Sequence, residues 1–230
     1  MNLFIFPLTS APSFLIYKKY TNRSVLFLNK AVMGTKGTKT RQQIIQETLQ
    51  LFTVKGYFNT SINDILEATH LTKGGLYGHF RSKEEIWYAV YEEAARIWKS
   101  IVLKDVRTIS DPLKRIEKAI ENALRDYLGA DVFVGGCFFA NMLVELSGQS
   151  VSMNKQVLRG YIGFARLIRN WLKEAEQKGL LKKGLDFKEI ANFIVISING
   201  AVTLYSSNRD PNIWKQTISQ LHFFINQLKK

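Results

Sequence analysis

The sequence predicts an all-α protein, on three observations. From residue 38 onward, apolar residues recur at helical spacing. No stretch alternates apolar and polar residues over a useful length, as a half-buried strand would. The periodic segments are separated by caps and stops, among them Gly56, Asp111-Pro112, Gly179 and Pro211. The order is one amphipathic helix, two short helices meeting at a turn, and then longer helices to the C-terminus.

Residues 1–32 precede this pattern. They carry Lys18, Lys19, Arg23 and Lys30 and no acid, and Pro7, Pro12 and polar residues interrupt their short apolar runs. None of those runs approaches the roughly 20 residues that span a bilayer. The basic residues follow the first apolar run rather than precede it, which does not suit a signal peptide. Residues 1–32 are therefore expected to be a disordered tail or a start-site artefact, with Met33 opening the folded part.

The first helix is expected between Thr38 and Lys55, with Ile44, Ile45, Thr48, Leu51 and Phe52 on its buried stripe and Gly56 as its stop. Thr60 or Ser61 can cap the second helix, whose inner face is Ile62, Ile65 and Leu66. The turn falls at Thr69-His70-Leu71. Thr72 can cap a short third helix from Lys73 to about Gly78, anchored by Leu76 and Phe80. Gly74 and Gly75 cost this helix about 1 kcal/mol each relative to alanine. They also clear bulk from its N-terminal end, which suits close backbone approach to DNA.

A long helix over 82–105 follows, with Ile86, Val90, Ala94, Ile97 and Ile101 as its stripe. Further helices are expected from Asp111-Pro112 to about Leu128, over a short run ending near Leu146, from Ser150 or Ser152 to Gly179, from Leu185 to about Ser206, and from Pro211 to Leu228. This divides the chain into a helix-turn-helix domain at 33–83, the layout of a DNA reader, and a larger helical domain at 84–230.

The formal net charge of +13 favours a polyanionic partner. With Cys137 the only cysteine, an intramolecular disulfide is excluded and a reducing, cytoplasmic home is expected. Three histidines (His70, His79 and His222) and no carboxylate cluster leave little for acid–base or metal chemistry. No catalytic residue, metal or cofactor is expected.

Thr40–Glu85 resembles the N-terminal domain of the TetR family of bacterial one-component transcriptional regulators. The matching residues are Thr40, Arg41, Ile44, Phe52, Gly56, Tyr57, Thr60, Ser61, Ile62, Asp64, Ile65, Ala68, Thr72, Lys73, Gly74, Leu76, Tyr77, His79, Phe80, Lys83 and Glu84. The chain departs from the family at Leu66, where a small residue is usual, and at Thr69-His70, where Ala-Gly is usual. His70 must then adopt the conformation that glycine ordinarily supplies.

The resemblance implies a repressor that binds double-stranded DNA and is released from its operator by a small molecule. The third helix enters the major groove, with Lys73 and Gly75 nearest the base edges. Thr60, Ser61, Thr72, Gly74, Tyr77, His79 and Lys83 complete the expected DNA-contacting set, mainly on phosphates. Competing readings are an architectural DNA-binding protein without a ligand, or an all-α enzyme or carrier.

The expected effector pocket is vaguer: Phe138, Phe139, Asn141, Met142, Tyr161, Phe164, Trp171 and Asn199 supply an apolar lining with a few polar groups. Cys137 is either a buried inert thiol or, with a stabilised thiolate, a sensor of electrophiles. The last two helices read as apolar on more than one face, which a second copy of the chain would cover. The resemblance points the same way, to a homodimer. Its expected seam is Ile194, Ile198, Ala201, Trp214, Ile218, Leu221 and Ile225. No membrane partner is expected.

Overall fold

The computed structural model describes residues 36–230. The expectations for residues 1–32 lie outside that range. Helix α1 (Lys36–Lys55) leads to the short pair α2 (Ile62–Thr69) and α3 (Lys73–Tyr77). Then come α4 (Lys83–Val102), α5 (Pro112–Glu121), α6 (Phe138–Glu145), α7 (Val151–Gln177), α8 (Phe187–Asn208) and α9 (Pro211–Leu228). The described residues form no strand, only an isolated bridge between Leu181 and Lys229.

The Asp111 cap lies where the sequence places it. Asp111 accepts from the amides of Leu113 and Lys114, with Pro112 in the first turn of α5. Pro211 opens α9 as expected, behind an unforeseen Asp210 cap, and Ser150 precedes α7 without a side-chain cap bond. The helix expected to run unbroken to Leu128 instead widens into a π-helical segment over Asn122–Leu128. There Asn122 is buried and donates to the carbonyls of Val102 and Lys104, closing the end of α4. Those bonds fit a lateral tie that the apolar period does not encode.

A small core under α1–α3 is built from Ile44, Leu49, Phe52, Ile65, Leu76 and Phe80, all essentially inaccessible. It merges with the larger core through α4, whose Ile86, Trp87 and Val90 are equally buried. Trp87 Nε1 donates to Met142 Sδ on α6 at 3.4 Å. Ile101 is only half-buried, and Val102 takes its place inside.

Helix α8 is long and apolar enough to cross a membrane by length and composition. It packs here between α7 and α9. Five of the seven residues expected to form a seam with a second copy are interior: Ile194, Ile198, Ala201, Leu221 and Ile225. Trp214 and Ile218 are half-buried. The apolar side chains that α8 leaves in solvent are Phe193, Ile196 and Leu204, joined by Phe223 of α9. The outer face of α9 is otherwise polar, with Asn212, Gln216, Gln220 and Asn226 exposed, so this helix is not apolar all round.

Candidate nucleic-acid interface

Gly56 ends α1 at φ 86°, the left-handed region that favours glycine. The chain then turns through Tyr57–Thr60. Ser61, not Thr60, caps α2: its hydroxyl accepts from Asp64 N at 3.1 Å, and Asp64 Oδ2 accepts from Ser61 N at 2.7 Å. This reciprocal pair satisfies two orphan amides of the helix start. Thr60 is buried, and its hydroxyl donates back to Gly56 O at 2.6 Å. Its expected contact with phosphate is thereby corrected to a turn-closing role. Asp64 also meets Lys55 Nζ at 2.7 Å. The Lys55 ammonium, with the bonds from Ser61, pulls the Asp64 carboxyl from its ordinary 3.8 to about 2.

The turn between α2 and α3 rests on His70, which adopts φ 56° and ψ 34°, the conformation expected of the residue replacing the usual glycine. Two side chains hold the carbonyls around it. Thr69 Oγ1 donates to Ile65 O at 2.7 Å, and Gln43 Nε2 of α1 donates to Thr69 O at 3.2 Å. Thr72 then caps α3, accepting from Gly75 N at 3.2 Å.

Above the buried anchors Leu76 and Phe80, α3 turns Thr72, Lys73, Gly74 and Tyr77 into solvent, Tyr77 at 49% exposure. Gly75 and His79 are half-buried beside them. A Cβ built on Gly74 would meet nothing within 4 Å, and one on Gly75 would make only ordinary contacts with Thr72 and Leu71. Internal packing therefore demands neither glycine.

Several exposed cations nearby lie outside the expected DNA-contacting set. Arg41 lies 4.5 Å over the Phe80 ring and is exposed. Lys36 and Lys39 on the first turns of α1, and Arg81 between α3 and α4, are also exposed. Their signal in the sequence was their clustering at the ends of the helices that frame α3. Lys83, by contrast, is turned inward. Its ammonium donates to the carbonyls of Tyr57 and Thr60, both at 2.9 Å, and lies 4.3 Å from the Tyr57 ring. Burial lowers its pKa. Lys83 thus clamps the α1–α2 loop, with two of its three donors already engaged.

The residues expected to line an effector pocket divide in two. Phe138, Met142 and Phe164 belong to the closed core, Phe164 packing edge-on against Trp98. Asn141 is tied to backbone, donating to Thr53 O at 3.0 Å and Gly135 O at 2.9 Å. Tyr161 and Asn199 pair across α7 and α8 at 3.0 Å, while Phe139 and Trp171 are half-buried. Elsewhere Tyr127, Leu128, Asp131, Val132, Phe133, Gly136 and Cys137 surround a crevice too tight for a water molecule. Burial pushes the Cys137 thiol up, which opposes a reactive thiolate.

The description "Bacterial regulatory proteins, tetR family" matches residues 44–90. "Tetracyclin repressor-like, C-terminal domain" matches residues 112–221. The chain is 28% identical over 180 residues to the HTH-type transcriptional repressor DhaR of Mycobacterium sp. (strain GP1), covering 76% of this chain and 87% of that protein. A TetR transcriptional regulator from Chloroflexus aurantiacus superposes with a TM-score of 0.76 at 26% identity, over 84% of this chain and 98% of that one. A TetR-family regulator from Cytophaga hutchinsonii shares the fold at the same TM-score and 24% identity, over 86% of this chain and 98% of that one.

Proposed function

Because the chain belongs to the tetR family of bacterial regulatory proteins and is a DNA-binding transcriptional regulator, we propose that it represses by sitting as a homodimer on a two-fold-symmetric operator, and that a small molecule in the helical domain releases it. The observation that carries the DNA contact is α3, whose Thr72, Lys73, Gly74 and Tyr77 face solvent over a rigid base of Leu76 and Phe80. In this reading Lys73 enters the major groove with Gly74 and Gly75 beside it. Ser61, Tyr77 and His79, joined by Lys36, Arg41 and Arg81, hold phosphates and set register. Residues 33–83 act as reader and 84–230 as sensor.

The dimer seam is reassigned to Phe193, Ile196 and Leu204 of α8 with Phe223 of α9, apolar side chains that a monomer leaves wet. The effector enters the helical domain near the Tyr161–Asn199 pair, with Tyr91 and Phe139 in edge contact nearby. Polar groups there are few and neutral, the Tyr161 phenol being pushed up by burial. That chemistry suits an uncharged, partly aromatic effector. The effector and operator are then negatively coupled by about 1–3 kcal/mol, because each prefers a different spacing of the two readers.

Selection from a random DNA pool tests this. Enrichment of an inverted repeat with half-site centres about 10 bp apart supports a dimer on adjacent major grooves. No enrichment over unselected DNA overturns it.

A further inference from the structure

Helix α6 grips the reader directly, at the backbone that joins α1 to α2. Glu145 is its last residue. Glu145 Oε2 accepts from Tyr57 N at 2.9 Å, and Oε1 accepts from Phe58 N at 2.8 Å. One carboxylate thus binds two consecutive backbone amides, a pair of charge-assisted bonds. The loop is shaped to receive it: a Cβ built on Gly56 would lie 2.5 Å from Glu145 Oε1 and 2.8 Å from its Cδ. Glycine at 56 therefore does two things, turning the chain at positive φ and leaving room for the carboxylate.

A second grip lies one turn back on α6. Asn141 Nδ2 donates to Thr53 O, a carbonyl in the last turn of α1. A Cβ on Gly135, just ahead of α6, would collide with that same carbonyl. On the reader side, Lys83 holds the loop through the Tyr57 and Thr60 carbonyls, and its charge attracts Glu145. The opposite face of α6 belongs to the sensor core: Phe138 and Met142 are fully buried, and Phe139 packs on Tyr91. An eight-residue helix therefore has one face among the sensor aromatics and its C-terminal end on the loop that leads into the Ser61 cap.

We infer that Glu145 is a positioning residue for operator binding: it fixes the helix-turn-helix against α6, so that the state of the sensor reaches α3 through the 56–60 loop as well as along α4. Two attachments hold the reader at a defined angle, whereas α4 alone leaves it free to swing. The inference rests on the operator-binding reading above, yet its local part can be tested without DNA.

The test uses the full chain. In Glu145→Ala, the amides of Tyr57 and Phe58 should exchange with solvent about tenfold faster, while those of Leu49 and Ile65 keep their protection. Affinity for the DNA selected with the wild-type chain should fall about tenfold, with an unchanged salt slope because no phosphate contact is removed. Glu145→Gln keeps the shape and one carbonyl acceptor. It should recover part of the affinity and protect one of the two amides, and it remains informative if the alanine variant folds poorly. Unchanged exchange at both amides overturns the grip. Faster exchange with operator affinity within twofold of wild type overturns the positioning role. A wild-type chain that selects no DNA contradicts the operator reading instead, and leaves the exchange result to judge the grip.

Discussion

The reader and the sensor hold their chemically useful groups in opposite ways. In the reader they stand on the surface, and each is fixed by a neighbour a few residues away. Thr72 caps the helix that carries Lys73, Ser61 is paired with Asp64, and His70 makes the turn between them. In the sensor they are inside and fixed by residues far along the chain: Tyr161 by Asn199, Asn122 by Val102 and Lys104, Asn141 by Thr53. A surface that must meet DNA in one geometry needs short, stiff supports. In the proposed reading, the interior admits a ligand and is held by contacts between helices, which a ligand can exchange for its own.

The comparison can be broken first at its cores. Phe52→Ala removes a fully buried ring and should cost about 3–5 kcal/mol in denaturant unfolding. Tyr77→Ala, on the exposed face of α3, should stay within about 0.5 kcal/mol of wild type in stability while weakening operator binding. Equal losses of stability would mean that Tyr77 is a packing residue.

The second break is at the seam. Ile196→Glu combined with Leu204→Glu should raise the dimer dissociation constant by at least about a hundredfold, roughly 3 kcal/mol, since unpaired carboxylates would be desolvated. Sedimentation reads this directly, and a double variant that remains dimeric at micromolar concentration places the seam elsewhere.

Smaller effects test the local supports. Thr72→Ala should cost about 1 kcal/mol through loss of the cap on α3, and should reduce operator binding with it. Asp64 supplies a pH signature. Its folded pKa is depressed from 3.8 to about 2, so its contribution is present above about pH 4 and is lost as pH falls through about 2. The pair with Lys55 is partly exposed, which limits that contribution to about 1 kcal/mol. Asp64→Asn should flatten the stability profile between those two pH values. A profile identical to wild type would show that the pair adds nothing.

The same contrast explains what the sequence could tell. Caps at Ser61, Thr72 and Asp111 are local, and the residue types at those positions announce them. The position of His70 announced its left-handed conformation. The seam expected from the sequence falls mostly inside one chain because α8 carries two apolar sets at helical spacing. Ile190, Ile194, Ile198 and Tyr205 turn inward, and Phe193, Ile196 and Leu204 turn outward. Periodicity identifies both sets and cannot say which one faces the chain's own core. Glu145 was silent for a related reason. Its partners are 87 and 88 residues away, and a single carboxylate at a helix end looks like any solvated acid.

Net charge was a poor guide to place. Residues 36–83 hold seven lysines and arginines against three acids, whereas residues 132–230 hold thirteen against six. On α7, Lys155, Arg159, Arg166 and Lys173 are exposed along one stripe. If charge alone drew DNA, this stripe would compete with the reader. Comparing Lys73→Ala with Lys173→Ala separates the two ideas, because each removes one exposed lysine and the net charge changes equally. Titration of selected operator DNA over a range of salt is the measurement. The account predicts that Lys73→Ala weakens binding and either lowers the salt slope by about one phosphate equivalent or relaxes one base pair per half-site, while Lys173→Ala changes neither affinity nor slope. Equal weakening by both substitutions would contradict it, and would show that α3 is not the element that reads the DNA.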